Sequence, residues 1–294
     1  MSTTALKIIA LIFMAIDHIG EFIPFTPIWF RWIGRMSAPL FFFCMAWGFY
    51  YTKSRKIYLL RMYLFGLAMA ILNVIANNLH SKNYSISITN NIFVTLFVAC
   101  IIIDLIDTFH NDPIKGKKYL LFFITVQLFS TVLIIILLDY VKMTYFPYEF
   151  YAAIFGNIFL NREVPFAALG ILLYYSKSNK RRLVITYSSF CILYSFFYFT
   201  NTVARILMRL DHILPKSIYT ILQAIPSLLG IGTQPIYQTR FYTLTSYYWM
   251  VIFALPFMLL YNGKKGKGYK YFFYLFYPIH IYLLYFIGNF NALP

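Results

Sequence analysis

The chain has 294 residues, of which 61% are hydrophobic, 21% aromatic and only 12% charged. Apolar runs of about 18 residues or more recur along it, long enough to span a bilayer, whereas the short alternating segments of a β-barrel are missing. The formal net charge of +16 does not point to nucleic acid, because the basic residues mostly cluster between apolar runs, as they do in the cytoplasmic loops of membrane proteins.

These features predict an all-α polytopic membrane bundle forming a single domain over residues 1–294. About nine to ten transmembrane helices are expected, with one or two re-entrant or interfacial segments. The first apolar run is too long for a signal peptide and lacks a small-residue cleavage site, so it reads as a retained span. It covers about Ala5 to Phe22. A short aromatic loop follows, and the second span runs from about Ala38 to Tyr51. It ends at Lys53-Ser54-Arg55-Lys56, a cytoplasmic signal. The N-terminus is then cytoplasmic too, and the loop carrying Trp29 to Arg35 faces out.

Further spans follow at about Tyr58 to Leu79, Asn91 to Asp107 and Tyr119 to Tyr140. The stretch Thr144 to Arg162, broken by Pro147 and Gly156, reads as interfacial or re-entrant. Shorter and longer spans come next, at about Val164 to Tyr175 and Leu183 to Leu207. Ile218 to Ile231 is apolar but interrupted by Pro226 and Gly230. A full crossing there would put Lys264, Lys265, Lys267 and Lys270 outside. A re-entrant or interfacial segment keeps them inside, as the charge rule favours. The last spans run from about Tyr242 to Leu260 and Tyr271 to Phe290. Cys44, Cys100 and Cys191 sit in apolar runs without metal-ligand spacing and read as packing thiols.

Chemistry concentrates where ionisable groups meet apolar runs, because such groups at membrane depth are costly unless paired. In the first span, Asp17 and His18 follow three apolar turns, roughly 18 Å from the inner end for Asp17. Being neighbours, they point about 100° apart, so His18 and Glu21 make the better pair within the helix and Asp17 needs a partner from elsewhere. A helix end whose polar groups snorkel to water accounts for Glu21, and accounts less well for Asp17 and His18. Arg35 sits at the mouth of the second span, in Gly34-Arg35-Met36-Ser37-Ala38-Pro39. Its guanidinium suits a partner such as Asp17, or a carboxylate, phosphate or acyl carbonyl. His280 lies near the middle of the last span beside Pro278, with Tyr277 three residues before it as a hydrogen-bond candidate. No HxxxH spacing, GxSxG or phosphate loop is present, which argues against a metal centre and a nucleotide-driven motor. The residues thus suggest an intramembrane cavity with a general base and an anion or carbonyl clamp. A proton-coupled transporter or flippase of an acidic or lipid-linked substrate is the alternative.

Four pieces together resemble the TraX family. They are Ala15-Ile16-Asp17-His18, Gly34-Arg35-Met36-Ser37-Ala38-Pro39-Leu40-Phe41, Asn90-Asn91-Ile92-Phe93-Val94-Thr95-Leu96 and Phe276-Tyr277-Pro278-Ile279-His280. The middle of the chain contributes little beyond hydropathy. The family comprises integral-membrane proteins linked to N-acetylation of conjugative pilin. The resemblance implies a membrane-bound acetyltransferase of the bacterial cytoplasmic membrane, with acetyl-coenzyme A as donor and no metal. It implies His18 as general base, Asp17 as its orienter or the partner of Arg35, and Arg35 as holder of the thioester carbonyl or acceptor. Asn91 would supply an amide hydrogen bond, His280 would be the rival base and Tyr277 its orienter. The partners it implies are the lipid bilayer and an amine or hydroxyl acceptor, such as a secreted peptide, a pilin-like protein or a glycan.

Overall fold

The computed structural model describes residues 1–80, 87–140, 146–199, 202–233 and 247–290. Among these residues all regular structure is helical. The helices are α1 (Thr3–Phe22), α2 (Trp29–Gly34), α3 (Ser37–Tyr50), α4 (Arg55–His80), α5 (Ile92–Asn111), α6 (Pro113–Ile135), α7 (Tyr148–Phe155), α8 (Ile158–Asn161), α9 (Val164–Ser176), α10 (Lys180–Phe199), α11 (Thr202–Asp211) and α12 (Lys216–Leu228). A 3-10 segment, Tyr248–Ala254, continues into a short α-helical turn, Leu255–Leu259, and the last helix is Lys270–Phe290.

Five stretches are long and apolar enough to cross a membrane: Arg55–Leu79, Ile92–Asn111, Pro113–Leu138, Lys180–Asp211 and Tyr271–Asn289. They match the third, fourth, fifth, seventh and last expected spans. Shorter apolar helices stand at Val164–Ser176 and Tyr248–Leu259. The first two expected spans are the 20-residue α1 and the 14-residue α3. Residues 242–246, the start of the expected eighth span, and 144–145 lie outside the described residues. Leu121, Phe122, Phe129 and Val132 on α6 are all more than half exposed. An apolar face of that kind is what lipid covers, and in water it would be an aggregation surface. The chain is a multi-pass membrane protein.

Contacts divide the chain into two compact units, one of residues 1–44 with 175–294 and one of residues 45–174. In the second unit, α6 starts on Asp112, whose carboxylate accepts from the Lys115 N–H at 3.0 Å, with Pro113 in the first turn. The expected break at Pro147 and Gly156 is the elbow of α7 and α8. Gly156 takes φ +59°, in the left-handed region that favours glycine. A fully buried Asn157 then caps α8, accepting from Phe159 and Leu160. Its amide donates to the Gln127 carbonyl and to the hydroxyls of Ser130 and Thr131, at 2.7–2.9 Å. Gln127 returns two bonds, donating to the Gly156 carbonyl and accepting from Ile158 N–H. Polar groups buried from both water and lipid demand such mutual satisfaction.

In the first unit, Ser2 caps α1 by accepting from Ala5 N–H. The start of the chain is laced to the loop before the last helix. Thr3 N–H donates to the Lys264 carbonyl at 2.9 Å and Thr4 N–H to the Lys265 carbonyl at 3.2 Å. Asn262 N–H donates to the Met1 carbonyl. The beginning of α1 and the lysine loop therefore share one end of this unit, and the last helix rises from that end alongside α1. That agrees with placing the lysines on the same side as the N-terminus, which needs an even number of crossings between them. α12 has 13 residues, contains Pro226 and buries none of its side chains.

The aromatic stretch after α1 corrects the sequence reading. Instead of a loop throughout, Trp29–Gly34 forms α2. Pro24 and Pro27 signal irregular chain, but only as far as residue 28.

Candidate functional site

The site is built in the first unit from α1, α2, the turn into α3, and the last helix. α1 delivers Asp17, His18 and Glu21 within one turn. α2 lies on them because glycines stand at the contacts. A β-carbon on Gly34 would overlap the β- and γ-carbons of Asp17, and one on Gly20 would come 2.8 Å from Phe30 Cβ. Gly288 does the same on the other side, where a β-carbon would overlap the Phe22 carbonyl. Close backbone approach at these points is what glycine permits.

Asp17 finds the outside partner that its direction requires. Arg35 Nη2 donates to both carboxylate oxygens, at 3.0 and 2.8 Å. Arg31 adds a contact of 3.2 Å to Oδ1, and donates to the Asp17 carbonyl at 3.0 Å and to Glu21 Oε2 at 2.9 Å. Two carboxylates and two guanidiniums sum to zero charge, so the cluster can sit at depth with its charges paired. Both guanidiniums also face the Tyr247 ring, at 5.5 Å for Arg31 and 4.7 Å for Arg35. Arg35 Nε is buried with no hydrogen-bond partner among the described residues.

His18 and His280 meet. His18 Nδ1 and His280 Nε2 are 2.7 Å apart, and the rings stack with centroids 4.9 Å apart and an interplanar angle of 27°. His280 Nδ1 lies 2.6 Å from the Phe276 carbonyl, one turn earlier in its helix. Both side chains are buried. Tyr277 is buried too, with its ring edge-on to His18 at 6.4 Å and to His280 at 6.0 Å. The described bond of His280 Nδ1 thus runs to backbone. The two histidines, rivals for one role in the sequence, are in contact in the structure.

Asn91 belongs to the second unit. It stands at the start of α5, and its Nδ2 donates to the Gly66 carbonyl at 2.8 Å. Its orphaned buried atom is Oδ1, an acceptor, whereas the sequence reading wanted a donor. The three cysteines are free and buried, as packing thiols would be.

Ligand atoms of Asp17, His18 and Glu21 lie within 4.8 Å of one another. A divalent cation placed among them would face Arg31 and Arg35, which already neutralise both carboxylates. The donor set suits proton transfer and anion or carbonyl binding better than metal binding. Sequence reasoning assigned no role to Arg31 or Tyr247. Arg31 was visible as a charge between apolar runs. Tyr247 gave no signal in a chain with 27 tyrosines.

No curated protein and no solved structure matches the chain. The family profile described as TraX protein matches residues 2–199, which takes in Asp17, His18, Arg31 and Arg35 and stops short of Tyr247, Tyr277 and His280. With about two thirds of its length matched, the chain belongs to the TraX family.

Proposed function

We propose that this protein is a membrane acetyltransferase. It moves an acetyl group from cytoplasmic acetyl-coenzyme A to an amine or hydroxyl acceptor at or across the bacterial cytoplasmic membrane. The observation that carries the reading is the buried pair of His18 and His280 beside the Asp17–Arg35 ion pair. His18 is the general base. As the acceptor nitrogen or oxygen attacks the thioester carbonyl carbon, His18 removes its proton. The carbon–sulfur bond then breaks, and coenzyme A leaves as a thiol after receiving a proton. Base catalysis of this kind contributes about 10²–10⁴-fold.

Arg35 is the clamp. Asp17 occupies its Nη2, while Nε is a buried donor with no partner among the described residues, suited to the oxygen of the thioester or of a carboxylate on the acceptor. Membership of the TraX family supports the choice of acetyl transfer over other acyl chemistry. The acceptor class covers secreted peptides, pilin-like proteins and glycans.

The test is acetyl-coenzyme A turnover by purified protein in nanodiscs, with His18→Ala and Arg35→Gln alongside. Saturable donor binding with turnover lost in His18→Ala supports the reading. Folded protein that binds no donor, and that moves an acidic or lipid-linked solute in proteoliposomes, overturns it in favour of a transporter.

A further inference from the structure

We infer that His280 is a positioning residue that fixes the tautomer of His18, making Nε2 of His18 the nitrogen that accepts the substrate proton. This deepens the acetyltransferase reading and rests on it for its chemistry, though not for its geometry.

The Phe276 carbonyl oxygen can only accept. It has no proton, so the 2.6 Å contact requires His280 Nδ1 to carry hydrogen and donate it. A neutral imidazole has one N–H. His280 Nε2 therefore holds a lone pair and accepts. The 2.7 Å contact to His18 Nδ1 then requires His18 to donate from Nδ1. In neutral His18 the lone pair is left on Nε2. A backbone carbonyl thus sets the protonation of two rings in series, and the order cannot be reversed without placing two lone pairs face to face.

The same chain disposes of the proton once it is taken. When His18 Nε2 binds the substrate proton, the bridging proton can shift from His18 Nδ1 to His280 Nε2. No atom is gained or lost beyond the one proton. The positive charge is shared over two rings, and part of it moves off the α1 ring that faces Arg31 and Arg35 onto the ring of the last helix. Among the described residues, Asp17, Glu21, Arg31, Arg35 and Tyr277 are charged or titratable groups facing the pair.

Nitrogen-15 NMR of histidine-labelled protein in nanodiscs reads the tautomers directly, since bare and protonated imidazole nitrogens resonate far apart. The chain has five histidines, and His18→Gln and His280→Gln identify the two signals that matter. At about pH 8, where imidazole is ordinarily neutral, the expected result is a bare Nε2 and a protonated Nδ1 on both residues. A bare Nδ1 on His18 overturns the inference, whether or not the protein transfers acetyl groups. Absence of turnover with the expected spectrum removes the enzymatic reading and leaves the tautomer assignment standing.

Activity supplies a second arm. His280→Gln keeps an acceptor oxygen for His18 Nδ1 and should stay within about tenfold of the parent kcat. His280→Phe keeps the ring shape without an acceptor and should lose about 10²–10⁴-fold in kcat, as expected when a base is wrongly oriented, with little change in donor KM. Full activity in folded His280→Phe overturns the inference. If that variant does not fold, the spectrum of the parent decides.

Discussion

Gly34 lies so close to Asp17 that a β-carbon on the glycine would overlap the β-carbon of the aspartate. That contact brings α2 down onto α1 and delivers Arg31 and Arg35 to the acidic turn. The glycine has no polar role of its own, yet the ion pairs depend on it.

Gly34→Ala should therefore separate the two helices. The atom it would strike is a β-carbon fixed to the α1 backbone, so a rotamer change cannot relieve the clash. We expect a loss of about 1–3 kcal/mol, typical of overpacking, and loss of most turnover. Gly48→Ala is the control, since its β-carbon would meet Tyr58 Oη at an ordinary 3.4 Å. Thermal unfolding in detergent distinguishes the two.

Asp17→Asn should destabilise the protein more than the double variant Asp17→Asn/Arg35→Gln. The single change leaves two guanidiniums sharing one carboxylate, while the double change removes a charge of each sign. Removing one partner of a fully buried pair costs about 3–5 kcal/mol. Here Asp17 and Arg35 retain 14% and 23% side-chain exposure, so about 1–3 kcal/mol is expected for the single change. A double-mutant cycle measures the coupling, and strict additivity would contradict the pairing.

Asn157→Leu should cost about 1–3 kcal/mol, because it removes the buried amide that donates to the Gln127 carbonyl and to the Ser130 and Thr131 hydroxyls. The elbow between α7 and α8 loses its cap in the same step. Proteolysis within residues 148–161 should accelerate relative to the parent, and unchanged protection would mean that the network is not what holds the elbow.

Cysteines introduced at Ser2 and Lys265 should respond alike to a membrane-impermeant reagent added to intact cells, both staying unlabelled. The backbone bonds from Thr3 and Thr4 to Lys264 and Lys265 put these positions at one end of the first unit. Opposite labelling of the two would break that geometry and add a crossing between them.

Much of this site was legible because membrane spans make ionisable residues conspicuous. Asp17, His18, Arg35 and His280 each interrupt or adjoin an apolar run, and each is expensive to keep there unpaired. Helical geometry also showed that Asp17 must look outside α1 for its partner. The pairing of His18 with His280 was not legible, since 262 residues separate them and nothing local distinguishes a pair from two alternatives. α2 was hidden as well, being six residues long, without a capping side chain, and preceded by two prolines. The role of Gly34 is invisible in a sequence, where a close approach and a turn leave the same letter. The breaks at Gly156 and Gly230 were readable, because both glycines take positive φ where a helix ends, whereas α12 runs through Pro226 to Leu228.

The most direct measurement is turnover of radiolabelled acetyl-coenzyme A by the purified protein in nanodiscs, run beside His18→Ala of verified fold. Saturable donor binding is expected in both proteins, with acetyl release or transfer at least about 10²-fold slower in the variant, the lower bound for loss of a general base. Equal turnover in the two proteins would contradict the assignment of His18 as the base.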